Sequence, residues 1–208
     1  MDYLLRLLNV RRNEVPRLAL ASAVFFLAQV DDGIVKSVAS AVFNVRAGVE
    51  KLPLMYTWIA VVFSLSMAFL SWLTSKVARQ RLLLGLMVFV ASVLTANALL
   101  LLYEHRSAVG LGTEAYSFIF ISSELARTLM NFQIWIVAGG ICYTSRAKIL
   151  FPLLASSAVL GDIAGGFTVQ LLSGLFAAHI LYALAVGNMV VVLFLLRLLL
   201  LSLIHISE

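Results

Sequence analysis

Six ionisable side chains, Asp31, Asp32, Lys36, Glu124, Arg127 and Asp162, fall inside long apolar stretches of the chain. A charged group at mid-bilayer costs a few kcal/mol, so such residues usually face a bundle interior or a water-filled cavity and mark ion or solute pathways. Asp32 and Lys36 are four residues apart and share a helix face. Glu124 and Arg127 are three apart, in the same acid-then-base order. Each pair could neutralise itself and simply lock helix packing, or Lys36 and Arg127 could hold an anionic group. Asn131 and Gln133 follow Arg127 on the same stretch. The candidate substrate-binding set is therefore Lys36, Glu124, Arg127, Asn131 and Gln133. Asp31 and Asp162 have no local partner. With Asp32 they form the candidate ion-coupling set, suited to a proton or another cation, although either could instead line an aqueous cavity.

Other chemistry is absent. The chain has no GxSxG, HExxH, GxxxxGK[ST] or paired-cysteine motif, so neither an enzyme nor a cofactor is expected. Cys142 is the only cysteine. His105, His179 and His205 stand apart near predicted helix ends, where interfacial anchoring or exposure is the expected role and no metal site is read.

The elements that must position these residues follow from composition. Of 208 residues, 62% are hydrophobic and 12% charged, with a mean hydropathy of +1.05. A soluble domain averages about 45–50% apolar and about 25% charged residues. An all-α polytopic membrane protein is expected. Since about 20 residues cross the hydrocarbon, there is room for about six or seven spans with their connections.

Uncharged gaps locate them. Between Lys51 and Lys76 lie 24 uncharged residues, and between Arg81 and Glu104 lie 22; these predict the second span at 54–75 and the third at 82–103. Between Asp162 and Arg197 lie 34, too many for one span and too few for two. A break near 177–179 resolves this, with a fifth span starting near Lys148 and carrying Asp162 in its middle. The sixth span is predicted at 180–203, the first at 17–43 and the fourth at 114–143. The mid-helix charges of the first, fourth and fifth spans then lie at nearly one depth, the pattern of a transport site. Those three spans are expected inside the bundle. The third, without charge, and the sixth, with only Arg197, are expected to face lipid.

Loop charges test the count. Six spans place Arg6, Arg11, Arg12, Arg17, Lys76, Arg79, Arg81, Arg146, Lys148 and Arg197 on one side, against Arg46, Lys51 and Arg106 on the other. That bias predicts both ends of the six-helix block in the cytoplasm. It also accounts for the net charge of +5 without a nucleic-acid partner, because the basic residues form short clusters rather than one patch. Residues 1–16 read as a cytoplasmic segment, with a short interfacial helix over Met1–Arg12 and no signal-peptide cleavage site. Gly161 and Gly165 form a G-x-x-x-G, extended by Gly166, whose expected role is close helix packing. Gly139 and Gly140 could loosen the end of the fourth span.

Divided three plus three, the first span pairs with the fourth and the third with the sixth: charged with charged, apolar with apolar. That is the signature of an inverted repeat, and it looks like one six-helix half of a major facilitator fold. Leu7-Leu8-Asn9-Val10-Arg11-Arg12-Asn13-Glu14 resembles the entry segment of the ATP/ADP-antiporter-type nucleotide transporters and their bacterial relatives. Arg46-Ala47-Gly48-Val49-Glu50-Lys51-Leu52-Pro53 resembles that family's first external loop. Gln133-Ile134-Trp135 with Ser145-Arg146-Ala147-Lys148-Ile149-Leu150-Phe151 resembles its fourth helix end and cytoplasmic loop, and Gly161 with Gly165-Gly166 its fifth helix. Lys36 falls on a basic position of the family's first helix. The family's second Lys-Asp pair falls on Ala39-Ser40, and its late Asn-Asp on Gly139-Gly140.

The resemblance implies a secondary active transporter of a small polar or anionic solute, possibly a nucleotide, in a bacterial inner membrane. The six mid-depth groups are four acids and two bases, few clamps for a triphosphate. A non-transporting membrane module that anchors or senses for a soluble domain is the alternative. Such transporters pair two six-helix halves, so a missing C-terminal half or a second copy is an expected partner, besides the lipid bilayer. The domain proper is read as 17–201. Residues 202–208 resemble a translated sequencing adapter and are expected to be a non-native tail.

Overall fold

The computed structural model describes residues 15–107, 110–141 and 147–204. The expected interfacial helix over Met1–Arg12 lies outside them, as do residues 205–208 of the expected tail. Six long helices run through the described residues: α1 Val15–Arg46, α2 Leu52–Thr74, α3 Arg79–Ser107, α4 Thr113–Ile141, α5 Ala147–Leu172 and α6 Ala178–Ile204. The shortest has 23 residues, about 34 Å at 1.5 Å per residue, enough to cross a hydrocarbon core of about 30 Å. Five of the six are both long and apolar enough to span a membrane. The exception is α4, the helix of Glu124, Arg127, Asn131 and Gln133. The chain is a helical membrane protein.

The breaks fall where charge and turn chemistry put them. After α1, Gly48 turns the backbone with φ +97°, a left-handed conformation that a Cβ would strain. A short 3-10 turn, Val49–Lys51, leads into α2, which starts on Pro53 in its first turn, where a missing N–H does no harm. Residues 173–177 form the turn before α6. Helix α1 begins at Val15, and residues 202–204 are part of α6.

The helix at the centre is α1. It packs against α5, α6 and α4. Its closest neighbour is α5, and small residues make that approach possible. A Cβ on Gly161 would stand 2.2 Å from the carbonyl oxygen of Phe26, and one on Gly165 2.3 Å from that of Val30. Across the same contact, a Cβ on Gly33 would come within 2.5 Å of the Asp162 carbonyl oxygen. Three glycines thus bring two backbones together. Gly166 plays a different part from the one expected: its own Cβ direction is open, and it contributes only its backbone nitrogen under Gly33.

The expected lipid-facing pair is corrected. The outermost helix is α2, with 11% of its span buried, against 39% for α3 and 33% for α6. The two pack on each other, and α3 carries the buried Asn97 while α6 carries the buried Tyr182. Absence of charge did not mean absence of interior contacts. The expected interior position of the fifth span holds on one side only, because Leu160, Ile163, Phe167 and Leu171 of α5 are exposed.

Candidate functional site

Arg127, midway along α4, joins the two central helices. Its Nε and Nη2 donate to Asp32 Oδ1 and Oδ2 of α1 at 3.1 and 3.0 Å, a two-pronged contact. Its Nη1 donates to both oxygens of Glu124, one turn back, at 2.7 and 2.8 Å. The planar guanidinium is the side chain that can hold two carboxylates in fixed geometry. Asn131, one turn further along α4, donates to Asp32 Oδ1 at 3.0 Å and accepts from Gln29 Nε2 at 2.6 Å. The network Gln29–Asn131–Asp32–Arg127–Glu124 therefore crosses from α1 to α4 and back. Ionised, its three charged members sum to one net negative charge.

The acid–base pairing differs from the spacing argument in one respect. Asp32 takes its ion pair from α4, not from Lys36, and Lys36 is exposed with no ion pair among the described residues. A long-range arginine with a two-pronged fit outcompetes a flexible lysine on the same helix. Glu124 and Arg127 do pair, as i,i+3 neighbours.

The other candidates scatter. Asp31, beside Asp32 in sequence, points to the opposite side of α1. It is 0% exposed, and its Oδ1 accepts from Asn188 Nδ2 of α6 at 2.9 Å. The same Asn188 amide also donates to the Leu27 carbonyl. Asp31 thus has a partner, one that sequence spacing could not supply, while its Oδ2 has none among the described residues. Asp162 is half-buried on α5, against Gly33. Gln133 does not join the network: it is 2% exposed, and both amide atoms lack a described partner. Six residues beyond Arg127, it lies on another side of α4, buried in the core.

Two polar clusters went unread because their members lie far apart in sequence, on different helices. In the core, Asn97 of α3 donates to Ser122 and Ser123 of α4 at 3.0 and 3.1 Å, and Ser123 bonds the Tyr182 hydroxyl of α6 at 2.7 Å. Polar residues within apolar runs were the available signal. At the end of the bundle near Arg46, that arginine pairs with Glu104 at 3.2 Å, and the Tyr116 hydroxyl donates to the same Glu104 oxygen at 2.7 Å. Beside them His105 of α3 and His179 of α6 meet as a tilted pair with ring centroids 4.8 Å apart. The two are not isolated, as their spacing suggested. Arg46, Glu104, His105 and His179 line a cavity of about 320 Å³. No group of three metal-ligating side chains occurs among the described residues.

At the opposite end Trp135 of α4 stacks on Phe151 of α5 with centroids 6.0 Å apart, and meets Phe25 of α1 edge-on at 6.1 Å. Arg79, at the start of α3, donates to the Ile136 carbonyl near the end of α4, where a cation also complements the helix dipole. The central network is thus flanked by a polar cluster at one end and an aromatic one at the other. Comparison with protein-family models, with curated proteins and with solved structures gives no match.

Proposed function

We propose that the chain is one six-helix half of a secondary active transporter that moves a small polar or anionic solute by alternating access. One observation carries this reading: an arginine held between two carboxylates at the middle of α1 and α4, with an exposed lysine one turn further along α1. Charge at that depth needs a function to justify its desolvation. A solute bearing a carboxylate or phosphate would replace Glu124 on Arg127 Nη1, and Lys36, one turn past Asp32, would meet its second charge. Asp31, fully buried with one free oxygen, is the coupling group in this reading, with Asp162 beside the α1–α5 contact. We further read the helices as a 3+3 inverted repeat of major facilitator type, similar to the ATP/ADP-type nucleotide antiporters, with both ends cytoplasmic in a bacterial inner membrane. The second half is supplied by further sequence or by a second copy.

A second reading has its own observation. Arg127 already has both carboxylates in place, so the network also suits a non-transporting module in which it only locks α1 to α4. Uptake separates the two. Proteoliposomes carrying the complete coding frame should accumulate an anionic solute, and Lys36→Gln with Arg127→Gln should abolish uptake. Undiminished uptake in that double variant would overturn the proposed site. No uptake of any of a panel of anionic solutes, nucleotides included, would favour the module.

A further inference from the structure

The helices α2 and α3 follow one another in the chain yet barely touch. Between them lies a cavity of about 350 Å³, floored by Leu125 and Leu129 of α4. Phe69 and Leu73 line it from α2, and Leu86 and Phe89 from α3. Phe69 and Phe89 are also exposed outward, so the space opens between the two helices to their lipid side. A gap of this size cannot stay empty without forfeiting the dispersion contacts of its walls. Water gains little there. Ser66, on the wall, already donates its hydroxyl to the Val62 carbonyl, and the remaining lining is hydrocarbon apart from Arg81 at one end. Hydrocarbon is the occupant that fits.

Arg81 adds selectivity. It lines the same cavity, is exposed and makes no ion pair among the described residues. Lys76 is exposed in the turn beside it, whereas Arg79 is turned away to the Ile136 carbonyl. Residues 52–103 contain no acidic side chain at all, so nothing within α2, the turn or most of α3 can neutralise this end. Phe89 lies eight residues along α3 from Arg81, a rise of about 12 Å. Half of a hydrocarbon core is about 15 Å, so the slot runs nearly the depth of one leaflet. Gly85 stands between them on the cavity wall, with no atom within 4 Å of where its Cβ would be. A glycine inside a helix is unfavourable by about 1 kcal/mol relative to alanine, and here it leaves a notch in the wall.

We propose that this groove is a binding site for one anionic glycerophospholipid, its acyl chain between α2 and α3 and its phosphate on Arg81. Basic pockets between membrane helices are suited to anionic headgroups. The test uses the full chain in nanodiscs with photoactivatable phosphatidylglycerol or phosphatidylcholine, and peptide mapping of the cross-links. Phosphatidylglycerol should label peptides of α2 and α3 several-fold more than phosphatidylcholine. Arg81→Gln should bring the two lipids to the same level. Gly85→Phe, whose Cβ would meet open space, should lower labelling of the groove by both. Lys51→Gln, at the other end of α2, should change neither. Equal labelling by both lipids in the unmodified chain would overturn headgroup recognition. Undiminished labelling in Gly85→Phe would overturn the groove as the place where the chain lies.

Discussion

At the scale of single residues, what matters is that Arg127 has two acids and Lys36 has none. Removing the arginine would strand Asp32 and Glu124 beside each other, one of them buried. Breaking a buried pair from one side is destabilising by about 3–5 kcal/mol. The Arg127→Met variant is therefore expected to lose most of its thermal stability in detergent, and Asp32→Asn combined with Arg127→Met to recover part of it. If the double variant melted no higher than the single one, the pairing would not be what holds α1 to α4. Lys36→Gln should leave the melting temperature unchanged, because the lysine supports no described contact. The sequence placed these groups within long helices, since charge inside an apolar run stands out. It could not show who pairs with whom. Asp32 and Arg127 are 95 residues apart, and the partner of Asp31 is a plain asparagine on a helix read as lipid-facing.

At the scale of helices, the α1–α5 contact gives the sharpest expectation. Gly165→Ala would push a methyl into the Val30 carbonyl, and the overpacked helices would have to separate, at about 1–3 kcal/mol. Gly166→Ala, one residue on, meets nothing and should be neutral or stabilising by up to about 1 kcal/mol through helix propensity. Thermal melts of the two variants side by side check this, and equal destabilisation would count against the glycine contact. The number of helices and most of their bounds were legible, because charge gaps and breaks at 75–78 and near 177 punctuate apolar runs sharply. Which helix lies outermost was not legible. Leucine and valine suit lipid and protein equally, so α2 and α3 look alike in sequence. Only uncharged polar residues such as Asn97, Tyr182 and Asn188 distinguish an interior face, and each of them finds its partner on another helix.

At the scale of the molecule, the proposed six-span topology puts the turn at 75–78 and the turn at 47–51 on opposite sides of the bilayer. The excess of Lys and Arg predicts the first of these in the cytoplasm. With Cys142→Ser as background, a membrane-impermeant maleimide should label Lys51→Cys in intact cells and Lys76→Cys only after permeabilisation. Labelling of both from one side would refute the alternation. The outlying position of α2 has an optical consequence. Trp58 and Trp72, two of the three tryptophans, both sit exposed on that helix, while Trp135 lies against Phe25 and Phe151. The intrinsic fluorescence of the protein is thus divided between two emitters on an outward-facing helix and one in an aromatic cluster. Acyl chains brominated at chosen carbons should quench the α2 pair as a gauge of depth, and with Trp58 and Trp72 replaced by phenylalanine the emission of Trp135 should report any movement between α4 and α5.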